Sequence, residues 1–125
     1  MTLLRDWAGS WLPRIAFWLF WPALIVVSWG ELTPHPPTIH ESDKLLHFLA
    51  YFGLSGLATT ALRYRRTIIL AAIALIAFGG ALEILQMFTG RDAELLDEVA
   101  NTIGVLTGTC TGLLFLRLVG AHEPE

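Results

Sequence analysis

The chain has one cysteine, Cys110, so no intramolecular disulfide can form, and this thiol stands alone deep in an apolar run, where it packs as a small apolar side chain. Charge is scarce as well, with Lys, Arg, Asp and Glu making up only 15% of the residues, and no basic patch of the kind that binds nucleic acid is present. One histidine with several carboxylates is chemically sufficient for a hard or borderline cation. No His-x-x-x-His and no Glu-x-x-His pair anchors one, however, so the sequence assigns neither a metal nor another cofactor.

What the chain has in quantity is hydrophobic length. It is 54% hydrophobic over 125 residues with a mean hydropathy of +0.59, too apolar for an ordinary soluble domain of this size. Four runs read as spanning helices: Ile15 to Trp29, Leu45 to Leu62, Ile68 to Phe88 and Val99 to Val119. A span needs roughly 20 residues, range about 17 to 25, so the last three qualify outright and the first needs Gly30 to Leu32 to extend it. The expectation is an all-α membrane protein, a single domain over 1–125, with a four-transmembrane-helix bundle at about 14–32, 43–62, 67–88 and 97–119. The first run follows Arg5 and Arg14 as a signal peptide would, but it is rich in Trp and no small-x-small cleavage site follows Trp29, so it reads as a retained helix. Upstream, Trp7, Trp11 and Leu12 with the two arginines make 1–13 an interfacial segment.

Basic residues set the orientation. Arg63, Arg65 and Arg66 crowd one loop, Arg5 and Arg14 precede the first span, and Arg117 ends the last. The other two loops carry Glu31, Glu41 and Asp43, then Asp92, Glu94, Asp97 and Glu98, with Lys44 and Arg91 as their only basic residues. By the positive-inside rule both termini are cytoplasmic and the acidic loops face outward.

These directions give the polar residues depths. His47 lies roughly 6 Å and Tyr51 roughly 12 Å inward of Asp43 at 1.5 Å per residue, and four-residue steps keep all three on one face. Asp97 and Asn101 repeat the step on the last helix, while Glu83 and Gln86 approach the same surface from the third. A carboxylate such as Glu83 inside a span is costly without a partner or a function. The polar residues of three helices thus converge on one outer-leaflet region. Overlaying Asp43 on Asp97 also brings His47 over Asn101, a short internal echo of the kind that repeats about an axis along the membrane normal produce. Taken singly, Asp43 and Asp97 also suit a helix N-terminus, where a carboxylate meets free N–H groups.

Asp43-Lys44-Leu-Leu-His47-Phe48-Leu-Ala-Tyr51-Phe52, then Gly80-Ala-Leu-Glu83-Ile-Leu-Gln86, Gly90-Arg91, Asp97, and Asn101-Thr-Ile-Gly104 with Gly108, resemble the VanZ-like family of small bacterial membrane proteins. The likeness covers the second to fourth helices. It implies a multi-pass protein of the bacterial plasma membrane, an envelope context and a link to resistance against the glycopeptide teicoplanin, but not a reaction.

The ligand-binding candidates are Asp43, Lys44, His47, Tyr51, Glu83, Gln86, Arg91, Asp97 and Asn101. Arg91 offers a fork for a phosphate or carboxylate, and a site near the headgroups favours an amphiphile, so the expected partner is an anionic or isoprenoid-linked envelope lipid. If chemistry occurs, His47, Glu83 and Asp97 are the acid–base candidates, for a hydrolase or transferase acting on a lipid phosphate. Only Lys44 and Arg91 stand on that face to meet a transferring phosphoryl group, which favours binding over catalysis. A third reading makes the cluster purely structural, its hydrogen bonds fixing helix register. Gly104, Gly108 and Gly112 form a small-residue stripe that either admits a neighbouring helix or seams a homodimer.

Overall fold

The computed structural model describes residues 2–33, 40–88 and 94–120, with side chains from 11, from 44 and from 94 in the three stretches. Four α-helices account for nearly all of them: α1 (Thr2–Leu32), α2 (His40–Ala61), α3 (Arg65–Gln86) and α4 (Leu95–Val119). The bounds lie within three residues of the expected ones except at α1, whose backbone is helical from Thr2 through Pro13 and Pro22 to Leu32. Gly120 ends α4 in the left-handed region (φ 62°), its N–H donating to the Leu116 carbonyl; the missing Cβ makes that conformation cheap.

Three segments are long and apolar enough to cross a membrane: Trp11–Leu32, Arg65–Gln86 and Leu95–Val119. This is the signature of a multi-pass membrane protein. α2 is the exception, although Leu45 to Leu62 is long enough for a span. Lys44, His47, Tyr51, Ser55, Thr59 and Thr60 dilute its apolarity, and all but Lys44 are buried. The reason is its position, since α2 packs against each of the other three helices and shares its largest interface with α4. A helix that neighbours enclose can carry polar side chains that a lipid-facing one cannot.

The α2/α4 interface is built on small residues. A Cβ at Gly104 would run into the Phe48 carbonyl, one at Gly108 into the Phe52 backbone and the Ser55 hydroxyl, and one at Gly112 would lie 3.1 Å from Thr59. Matching positions advance together along both helices, so α2 and α4 run parallel. Helices meeting without a solvent-driven hydrophobic effect depend on such close contact, and the Ser55 hydroxyl adds bonds to the carbonyls of Phe52 (3.1 Å) and Gly104 (3.4 Å). The stripe is therefore occupied within the chain, and the homodimer seam expected as its alternative use would need a face that α2 fills.

Tyr51, Leu54 and Ala58 of α2, Leu75 of α3 and Val105 of α4 form the buried core, with Phe20, Ala23, Leu24 and Val27 of α1 closing it. Farther along, Leu12 covers Leu116. Leu12 meets the end of α4 while Glu31 meets the start of α2, so α1 runs against both. The outer surface carries Trp18, Ile25, Val26, Ile69, Ile73, Leu106 and Leu118, an apolar exterior suited to lipid. Cys110 is on this exposed exterior.

Candidate functional site

All four helices send polar side chains into one end of the bundle. His47 is 4% exposed, Asn101 0%, Asp97 2%, Gln86 1% and Glu83 8%, so these groups are removed from solvent and must satisfy one another. His47 sits at the centre. Its Nδ1 lies 2.9 Å from Asn101 Oδ1 and 3.2 Å from Glu31 Oε1, with Glu83 Oε1 at 3.9 Å; on the opposite side of the ring, Nε2 faces Asp97 Oδ2 at 3.9 Å.

The hydrogen-bond pattern sets the ring's protonation. Asn101 Nδ2 donates to Glu98 Oε2 (3.2 Å), and because an ionised carboxylate only accepts, the amide must turn Oδ1 toward His47. Both neighbours of Nδ1 are then acceptors, so Nδ1 carries the proton, and in the neutral ring the lone pair is on Nε2.

α1 contributes more than the sequence indicated. Glu31, read as a loop acid, is buried in the last turn of α1, where it also accepts the Tyr51 hydroxyl at 3.2 Å. Gln86 Nε2 donates to the Glu31 backbone carbonyl at 2.8 Å, satisfying one of the carbonyls that a helix C-terminus leaves without an internal partner. Glu98 is the second residue that the sequence reading left among loop acids. Gly79 makes room for the Asn101–Glu98 hydrogen bond, since a Cβ there would fall 2.9 Å from Glu98 Oε2, 3.0 Å from Asn101 Nδ2 and 3.2 Å from the Tyr51 ring. A larger residue would push α3 away from the cluster.

The structure thus brings His47, Tyr51, Glu83, Gln86, Asp97 and Asn101 together, as their spacing predicted. Lys44 stands at the rim, half-buried and paired with Glu94 Oε2 at 3.1 Å. Arg91 and the side chain of Asp43 lie outside the described residues. Asp97 occupies the first turn of α4, but the N-cap is Glu94, which makes no side-chain cap bond, so the buried Asp97 faces the cluster instead of capping the helix. Glu83 is distinctive in another way: both of its carboxylate oxygens are buried without a hydrogen-bond partner among the described residues.

No family model, curated protein or solved structure matches the chain. The site therefore has to be read from its own chemistry. Among the described residues, Glu31, Glu83, Asp97 and Glu98 outnumber the basic groups around His47, which makes this cluster acidic and gives it the means to hold a proton or a cation. Beside it, Leu24, Ile25, Ser28, Trp29, Leu32 and Phe78 line an open, largely apolar groove of about 690 Å³ between α1 and α3. The groove and the cluster meet at the last turn of α1, where Leu32 lines one and Glu31 belongs to the other.

Proposed function

We propose that the chain is a four-span protein of the bacterial plasma membrane, of the VanZ-like kind, that binds the polar end of an envelope lipid at this cluster while an acyl or isoprenoid chain lies along the α1/α3 groove. The observation that carries the reading is that junction: the apolar groove reaches the last turn of α1, where Leu32 lines it and the adjacent Glu31 belongs to the buried polar cluster. An amphiphile needs both surfaces side by side. Both termini are cytoplasmic and the cluster faces outward, which follows from the distribution of arginines. An anionic headgroup requires positive charge to offset the carboxylates, and Arg91, next to the cluster in sequence, is the residue proposed to grip it. Shielding such a lipid from a glycopeptide is the form in which this binding would contribute to teicoplanin resistance.

A hydrolase or transferase acting on a lipid phosphate is the second reading, favoured by the Glu31 carboxylate that orients His47 through Nδ1 as a base is oriented for proton transfer. Native mass spectrometry of gently purified protein tests the first. A discrete lipid should accompany the wild type and be lost in both Glu83→Gln and Arg91→Ala. No bound species, with both variants merely less stable, would return the cluster to a purely structural role. Phosphate release from a bound lipid that His47→Ala abolishes without loss of binding would establish the second.

A further inference from the structure

We propose that His47, Glu83 and Asp97 form a binding site for a divalent transition ion, Zn²⁺ or Mn²⁺. One nitrogen of His47 and one oxygen from each carboxylate lie within 4.8 Å of one another, contributed by α2, α3 and α4 and all buried. A tetrahedral ion with bonds of about 2.0 to 2.2 Å holds its donors about 3.4 Å apart, so small side-chain rotations close this triangle. Local sequence motifs gave no sign of it because each helix supplies a single donor.

A second observation points the same way. The Glu83 side chain is nine-tenths buried, is directed at His47, and has neither oxygen hydrogen-bonded among the described residues. A buried carboxylate in that state either keeps a proton or meets a counter-charge, and coordination by a dication would satisfy both oxygens and relieve repulsion from Asp97. The surroundings of His47 fit as well. Ligating histidines characteristically donate their other ring N–H to a carboxylate or carbonyl, and here Nδ1 meets Glu31 and Asn101 while Nε2 faces Asp97. The imidazole among oxygen donors selects a transition ion over Mg²⁺ or Ca²⁺, which take oxygen ligands alone. This inference does not rest on the lipid reading, although a bound dication would also give a phosphate the positive charge it needs.

The full chain, purified in detergent, stripped with chelator, reloaded with Zn²⁺ or Mn²⁺ and dialysed, should retain about one ion per chain by elemental analysis. Glu83→Gln and Asp97→Asn should each weaken retention by about tenfold or more, Glu31→Gln by about 10- to 100-fold through its hold on His47, and Cys110→Ser not at all. X-ray absorption of zinc-loaded wild type needs no variant to fold, and should give nitrogen and oxygen donors without sulfur. Failure of the wild type to retain an ion, equal retention by folded Glu83→Gln, or a sulfur donor would each overturn the site. The metal assay uses chelator-stripped protein reloaded with ion and the lipid assay uses gently purified protein, so a failed lipid assay and a failed metal assay are separate results.

Discussion

His47 and Asn101 bond at 2.9 Å across the α2/α4 interface, and through the Asn101 amide the contact extends to Glu98. Two parallel helices are thereby locked in register by a polar pair about one turn before the glycine stripe begins. The pair occupies the positions that the internal echo in the sequence placed over each other.

Replacing Asn101 with Leu keeps the volume but leaves the buried His47 N–H and Glu98 carboxylate short of a partner. Loss of about 1 to 3 kcal/mol is expected, read as a lower midpoint in denaturation from detergent micelles. A midpoint equal to that of wild type would mean that the amide does not join the helices.

Gly108 and Gly53 give opposite expectations for the same substitution. At Gly108 an added Cβ collides with the Phe52 backbone, so Gly108→Ala should cost about 1 to 3 kcal/mol; at Gly53 nothing lies within 4 Å, so Gly53→Ala should gain up to about 1 kcal/mol from helix propensity. If Gly108→Ala instead shifts the oligomeric state and spares the stability of the single chain, the seam lies between copies.

Tyr51→Phe retains the ring at the centre of the core and removes only the hydroxyl that reaches Glu31. The expected cost is about 0.5 to 1.5 kcal/mol, with faster amide exchange in the last turn of α1 as the local signature. Exchange unchanged at Ser28 to Leu32 would show that the contacts of Glu31 with Gln86 and His47 hold this end of α1 without the Tyr51 hydroxyl.

Much of this arrangement could be read from spacing. The four-residue steps of Asp43, His47 and Tyr51 and of Asp97 and Asn101 define helix faces before any packing is known, and loop charges give those faces a common end. Glu31 and Glu98 escaped because each sits beside a loop, where an acid is ordinarily solvated. The expected first helix already reaches Leu32, but only packing reveals that its last turn buries Glu31 and that Gly79 lets α3 approach Glu98. His47, Glu83 and Asp97 were legible together as acid–base candidates but not as metal donors, because they are 36 and 14 residues apart in sequence and no single helix carries a ligand-spacing motif.

The crossing of α2 is the step that apolarity leaves open, since the polar face it packs against α1, α3 and α4 lowers its hydropathy while Leu45, Leu46 and Leu49 stay exposed. Labelling separates four spans from three. In a Cys110→Ser background, Thr33→Cys and Glu94→Cys lie at the polar-cluster end and Tyr64→Cys at the opposite end of α2. With four spans and cytoplasmic termini, a membrane-impermeant maleimide should reach Thr33→Cys and Glu94→Cys in intact cells and Tyr64→Cys only after lysis. If Thr33→Cys and Tyr64→Cys react from the same side, α2 does not cross. If the whole pattern is inverted, the acidic cluster faces the cytoplasm; an outer-leaflet lipid is then excluded as its ligand, while an ion held by Glu83 remains compatible with either face.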